Sequence, residues 1–398
     1  MFPGRSRFPF SFPRISLVLL TLLVSFAAAA QEPPVPAPPP QEPAPPSAVP
    51  APAPAPAQPL RILWVGDIMM EVPWRQPPVS PPKLFDGVRE GLAGRDLVIA
   101  NLESSLTNWP DVTPYKDKAL IAAGKDVVSR TTSPLAAQAV AGAGIQVVGL
   151  ANNHTMDYTE HGLLETFERL DAAGVRYTGA GKNIAEAEDA LVLELKGRRV
   201  GILSFSDVVP RFSWAEAARP GIASSKEVER VVEAVRRARP RVDILIVLFH
   251  WGVQFDREPS PRQEFLAQET RKAGADLILG AHPHVLQGIG CLGAAPVVYS
   301  AGNFVFPVSG FYTRRSAIFE FDFPPQGGSP SVLLFPTMID DQGAPQIATT
   351  GPREEILAEM ARLSQPLGMA LINGSGSCRA EASPAPEKPQ PPVPDPKH

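Results

Sequence analysis

The chain has 398 residues, 44% hydrophobic and 20% charged, with a formal net charge of −4. That length and composition allow a sizeable core, and so small a net charge leaves no electrostatic footprint for nucleic acid or an anionic membrane surface. Two cysteines, Cys291 and Cys378, are too few for a disulfide scaffold and lack the paired spacing of a zinc ribbon, although a single bridge between them is open.

Residues 1–30 read as an export signal. Arg5, Arg7 and Arg14 form a basic start, Ile15 to Phe26 an apolar run, and Ala27 to Ala30 a small-residue end, the layout of a cleaved signal peptide. An N-terminal anchor is the rival reading, because the run from Ile15 to Ala30 falls just short of the ~17–25 residues that span a bilayer. Either way the rest of the chain is expected outside the cytoplasm, periplasmic, extracellular or membrane-anchored facing outward. Residues 31–59 alternate Pro, Ala and Glu with almost no bulky apolar side chain, the composition of a disordered, extended linker.

Residues 60–371 alternate short apolar runs with helical patterns, the rhythm of a mostly parallel or mixed sheet covered by helices. Strands are expected at Arg61 to Val65, Asp96 to Ala100, Gln146 to Leu150, Arg199 to Ser204, Asp243 to Phe249, Asp276 to Leu279 and Val297 to Ser300. Helices are expected at Pro134 to Ala143, Glu160 to Ala173, Ser224 to Arg239 and Pro261 to Ala273, the later ones stopped by Gly174, Pro240 and Gly274. Lys196 and Gly197 form a hairpin-turn signal, and Ser316 to Phe323 with Ser331 to Pro336 read as two antiparallel strands. Residues 372–398 are expected to be a disordered Pro-rich tail.

Metal-binding side chains recur immediately after the apolar runs, where open α/β sheets place ligand sites. Asp67 follows Arg-Ile-Leu-Trp-Val-Gly, Asn101 and Glu103 follow Asp-Leu-Val-Ile-Ala, and Asn153, His154 and Asp157 follow Val-Val-Gly-Leu-Ala. His250 follows Ile-Leu-Ile-Val-Leu-Phe, and His282 and His284 follow Leu-Ile-Leu-Gly-Ala. Two adjacent divalent ions need a bridging carboxylate with oxygen and imidazole ligands around it. Asp67 and Glu103 can supply carboxylates, Asn153 an amide oxygen, and His250, His282 and His284 imidazoles. An alkoxide departs poorly without a proton, which makes His154 the candidate general acid, with Asp157 orienting or charging it.

The ordered set Gly-Asp-Ile-Met (66–69), Asn-Leu-Glu (101–103), Ala-Asn-Asn-His-Thr-Met-Asp (151–157), His-Trp-Gly (250–252), Gly-Ala-His-Pro-His-Val-Leu-Gln (280–287) and Gly-Asn-Phe-Val-Phe (302–306) resembles the CapA family of poly-gamma-glutamate capsule biosynthesis, within the calcineurin-like metallophosphoesterase superfamily. The resemblance covers about residues 60–325. It implies a four-layer α/β/β/α sandwich, with Asp67 as first metal ligand, Glu103 where the bridging carboxylate is usually an aspartate, and Asn153, His250, His282 and His284 as further ligands of one or two divalent ions (Mn, Fe or Zn). The superfamily histidine two residues after the first aspartate is replaced here by Met69, a poor ligand for hard ions.

The function so implied is an exported protein of capsule or envelope-polymer synthesis or processing with dinuclear-metal hydrolase chemistry. Its partners would be an anionic polymer or phosphoester substrate and membrane-bound capsule synthesis proteins, with no nucleic acid. The alternatives are a noncatalytic polymer-binding or assembly component and a general secreted phosphoesterase. Asn101, Asn303, Lys116 and Arg314 are candidate substrate contacts, set against plainer readings of Asn101 as a turn former or a donor supporting a ligand, Asn303 as part of a Gly-Asn turn, and the two cations as solvated surface.

Overall fold

A computed structural model of the chain describes residues 58–72, 79–123 and 126–379. The expected signal or anchor, nearly all of the Pro/Ala-rich linker and residues 380–398 lie outside the described residues. Among those described, no helix is long and apolar enough to cross a membrane.

Two sheets carry the fold. The first has nine strands, in the order Pro345–Ile347, Ser331–Ile339, Arg315–Phe323, Leu60–Ile68, Leu97–Leu102, Val147–Gly149 and Arg176–Thr178, with Asn303–Val305 added beside Leu60–Ile68 and Ser375–Ser377 beside Ser331–Ile339. The second has six, in the order Ile289–Leu292, Ala295–Val298, Leu277–Ala281, Ile244–His250, Arg198–Ser206 and Leu191–Leu195. The central strands of both run parallel. They are buried on both faces, which is why they read as unbroken apolar runs rather than alternating ones.

Side-chain alternation sorts these strands into layers. Ile62 and Trp64, Ile99, Ile202, Ile246 and Leu279 pack together between the sheets. From the opposite face of the first sheet, Leu63, Val65, Val98 and Val148 meet Ala136 and Val140 of helix Ala136–Gly142 and Leu163 and Phe167 of helix Thr159–Ala173. From the outer face of the second, Leu203, Leu245 and Val247 meet Val231 and Val235 of helix Val228–Ala238 and Leu266 of helix Pro261–Ala273. The result is an α/β/β/α sandwich. Each fully buried Leu, Ile or Val contributes roughly 1.5–3 kcal/mol, so these three apolar layers are the main source of cohesion.

Several boundaries move. The expected strand at Val297 to Ser300 lies two residues earlier, at Ala295–Val298, and helix Val228–Ala238 begins four residues later than Ser224. Lys196 and Gly197 form the hairpin turn, both with positive φ (50° and 75°). Helix Pro352–Ser364 was not anticipated. The disordered tail expected from residue 372 is corrected: Ser375–Ser377 pairs with Ser331–Leu333, and Cys378 is bonded to Cys291, with Cα atoms 5.4 Å apart. Backbone pairing and a covalent link hold this segment despite its lack of an apolar pattern. Register places Leu60 opposite Phe323, Asp322 opposite Ser331, and Ser331 opposite Ser377, so residues 58 and 379 both leave from the sheet end opposite Asp67.

Candidate metal centre

Asp67, the penultimate residue of Leu60–Ile68, is level with Asn101 on one side and Asn303 on the other. That close approach requires Gly66, where a Cβ would stand 1.9 Å from the Gly302 carbonyl oxygen. His250 ends its strand level with Ala281, directly before His282. His282 and His284 take positive φ values of 97° and 59°. Such backbone costs about 1–3 kcal/mol per non-glycine residue and persists where surrounding structure enforces it, commonly at functional sites.

These strand ends gather the ligand-type residues into two overlapping groups, Glu103 with His250 and His282, and Glu103 with Asp67 and His284, the ligand atoms of each lying within 4.8 Å of one another. Around His250 Nε2 stand Asn153 Oδ1 at 2.6 Å, His282 Nδ1 at 3.0 Å and Glu103 Oε1 at 3.3 Å. Asp67 Oδ2 is 3.3 Å from His284 Nδ1, and Glu103 Oε1 is 3.7 Å from His284 Nε2. All six predicted ligand residues are thus brought together, and Glu103 belongs to both groups.

Glu103 is fully buried, yet neither of its carboxylate oxygens accepts a hydrogen bond. An unpartnered buried carboxylate is strongly unfavourable unless a cation meets it. Burial pushes its pKa up, but the imidazoles of His284 and His250 outweigh burial and hold it far below the usual carboxylate range. At His284 burial works against the charged form; Glu103 and Asp67 overcome it and raise the pKa to about 9. His282 goes the other way, pushed well below 6.5 by burial and then by the neighbouring His250 and His284. The donor set of carboxylates, imidazoles and one amide oxygen, centred on a buried carboxylate that is ringed by imidazoles and accepts no well-formed hydrogen bond, fits divalent transition-metal ions.

His154 and Asp157 form a second unit on the loop after Val147–Gly149. His154 Nδ1 is 2.7 Å from Asp157 Oδ2, which leaves His154 Nε2 on the cluster side, 4.0 Å from Glu103 Oε1. Asp157 Oδ2 also accepts from the Ser129 backbone N–H at 2.7 Å, while Oδ1 meets Lys116 Nζ at 2.7 Å.

The four candidate substrate contacts have other partners. Asn101 is buried and donates to Asp67 Oδ1 (2.8 Å) and His250 Nδ1 (3.2 Å). Buried Asn303 accepts from His284 Nδ1 (2.9 Å) and donates to the His284 and Thr313 carbonyls. Asn303 therefore fixes His284 the way metal-site imidazoles are commonly fixed, by accepting from the nitrogen turned away from Glu103, and Asn101 packs its amide between Asp67 and His250. Lys116 is spent on Asp157, and Arg314 is held by the Ile339 carbonyl and Asp341 rather than by the cluster. Met69 packs with Val72, Phe306 and Ile339 in a small apolar cluster, and Phe306 presents its ring at 5.1 Å from that of His284.

Sequence reasoning passed over Asn152 and Ser129. Asn152 donates to the Leu102 carbonyl at 2.8 Å and accepts from the His154 N–H and the Thr155 hydroxyl, which sets the turn that presents His154. The doubled asparagine before His154 was its only signal. Ser129 acts through its backbone, which no side-chain pattern marks.

Comparison with known proteins agrees with this arrangement of motifs. The profile of the family described as bacterial capsule synthesis protein PGA_cap matches residues 61–308. A capsule biosynthesis protein CapA from Bacillus anthracis is 33% identical over 216 residues, 54% of this chain and 52% of that protein. The PGA biosynthesis protein CapA of Bacillus subtilis is 30% identical over 267 residues, 66% of this chain and 68% of its own length. The chain thus spans about half the length of the first relative and two thirds of the second. Among solved structures, a putative 5'-nucleotidase from Staphylococcus aureus aligns at a TM-score of 0.45 and 14% identity, covering 76% of this chain and 58% of that one.

Proposed function

This chain belongs to the bacterial capsule synthesis protein family PGA_cap, and from that premise we propose that it is a metal-dependent hydrolase acting in the synthesis or processing of poly-gamma-glutamate or a related envelope polymer. The observation that carries the reading is Glu103, buried without a hydrogen-bond donor and shared by two ligand groups. Glu103, Asn153, His250 and His282 would hold one divalent ion, and Asp67, Glu103 and His284 a second. When bound, such ions supply Lewis-acid stabilisation of negative charge at the scissile centre.

The chain's own groups do the rest. Asn303 fixes the ring of His284 by accepting from the nitrogen turned away from Glu103, and Asn101 sits 3.2 Å from the corresponding nitrogen of His250. His154, with Nδ1 tied to Asp157, holds a proton at Nε2 for the leaving oxygen. Lys116 balances the buried Asp157 charge. Export belongs to the proposal, resting on the basic, apolar and small-residue order of the first thirty residues, as does work beside membrane-bound capsule synthesis proteins.

One observation favours a second reading, a noncatalytic polymer-binding component. With Met69 packed among apolar side chains, the Asp67 group gathers three carboxylate or imidazole ligands among the described residues. Elemental analysis after loading with manganese, iron or zinc, together with gamma-glutamyl hydrolase and phosphodiesterase assays, separates the two. Metal uptake lost in His282→Ala and turnover with either substrate class support the hydrolase. Polymer binding without turnover supports the second reading, and absence of metal uptake by the wild-type chain overturns the first.

A further inference from the structure

Outside the metal cluster, the loop that carries Asp157 borders a cavity of about 740 Å3 that has no part in the chemistry above. It lies between segment 109–115 and segment 211–219, with Met156 and the start of helix Thr159–Ala173 as its floor. The Thr113 N–H donates to the Asp157 carbonyl at 2.8 Å, so one wall is fastened to the acid loop.

The walls are aromatic. Trp109 stacks on His161 with ring centroids 4.2 Å apart, and Tyr115 stacks on Phe212 at 4.5 Å. Each pair joins residues distant in sequence into a flat platform, and Tyr115 as a residue is still 68% exposed. Exposed aromatic faces grouped around one cavity mark a place where a ligand can bury apolar surface.

The charges around these rings decide what they suit. Asp111, Glu160 and Glu216 line the cavity along with Arg211 and Arg219. Arg219 is already engaged by Glu216 at 2.9 Å and by the Phe212 carbonyl. Among the described residues, the carboxylates of Asp111 and Glu160 have no hydrogen-bond or ion-pair partner, and Arg211 lies over the Trp214 ring at 6.0 Å and within electrostatic reach of Glu216. A polyanion would face an excess of carboxylates here. A neutral ring bearing hydroxyls would not: its C–H face can lie on the aromatic platforms, and its hydroxyls can donate to Asp111 and Glu160 and accept from Arg211.

We propose that this cavity is a binding site for a neutral saccharide, separate from the metal cluster and formed by the Trp109–His161 and Tyr115–Phe212 platforms with the unpartnered carboxylates of Asp111 and Glu160. It goes beyond the hydrolase reading and stands without it, because no metal ligand lines the cavity.

Isothermal titration calorimetry on the full chain, with metal removed by chelation, tests the site independently of turnover. The probes are chitotriose and cellotriose, with a gamma-glutamyl tetramer and adenosine as the anionic and planar alternatives. Saturable one-site binding of either trisaccharide is expected, weakened roughly tenfold or more in Trp109→Ala and in Tyr115→Ala. Phe265→Ala, an exposed aromatic outside the cavity, should leave it unchanged. Should the aromatic variants fail to fold by circular dichroism, Asp111→Asn with Glu160→Gln keeps the shape, and weakened saccharide binding is expected there. No trisaccharide binding, binding undiminished in all folded cavity variants, or tighter binding of the tetramer or adenosine overturns the proposal.

Discussion

In the metal-free protein a proton on His284 does what a metal cation would do, standing between the carboxylates of Asp67 and Glu103. Its folded pKa is about 9 against 6.5 for the free side chain. A raised folded pKa means the native state holds the proton more tightly than the unfolded chain. The resulting stability is complete below pH 6.5 and is lost as pH climbs through 9. At about 1.4 kcal/mol per unit, the loss across that window is about 3 kcal/mol. Two neighbouring groups work outside that window. His282, depressed well below 6.5, changes stability only as pH falls below the window, and Glu103 is ionised in both states throughout it. Urea unfolding of chelator-treated protein should therefore show lower stability at pH 9 than at pH 6.5, and His284→Gln should flatten the difference. Metal must displace the same proton, so metal affinity should rise over this range and level off above it. A metal-free stability that is flat or increases toward pH 9 would refute the idea that a proton bridges these carboxylates.

Other perturbations separate the roles of individual groups. Glu103→Gln should strip metal from both groups, whereas Asp67→Asn should cost only one ion, as counted by elemental analysis; equal losses would argue against a shared carboxylate. Lys116→Met removes the cation 2.7 Å from Asp157. It should slow hydrolysis of esters with poor leaving groups by roughly a hundredfold while sparing a p-nitrophenyl ester, with partial rescue by Arg, because only the poor leaving group needs a proton. The same loss on both esters would make Lys116 merely structural. Replacing Cys291 and Cys378 by Ser opens a loop spanning 87 residues, for which chain entropy gives about 4–5 kcal/mol. Denaturation midpoints that agree within error would place the stabilisation elsewhere.

The ligand residues were legible because each directly follows an apolar run, and parallel strands in a two-sided sheet end together. Asp67, Glu103, His250 and His282 could be picked out on that ground alone. What surrounds them was not legible. Asn101 and Asn303 become props for His250 and His284 only through the register that sets both level with Asp67, and register is a property of three strands at once. Lys116 sits in a loop whose path is fixed by contacts with Val127 and Asp157 far along the chain. The strand Ser375–Ser377 was invisible for a simpler reason: edge pairing uses backbone groups that every residue carries, so a Gly/Ser segment can join a sheet without any pattern to announce it. Helix Pro352–Ser364 did leave a trace, in Pro352 at its start and Glu354 reaching back to the Gly351 N–H.

The register that brings Leu60 and Ser377 to one end of the nine-stranded sheet has a practical side. Seven residues separate Leu60 from Asp67 along a single strand, about 23 Å at 3.3 Å per residue. A fluorophore, affinity handle or solid support joined at residue 58 or 379 therefore sits at the pole remote from the carboxylates and imidazoles. The domain can be immobilised by either flank with the support held at the sheet end opposite its ligand cluster.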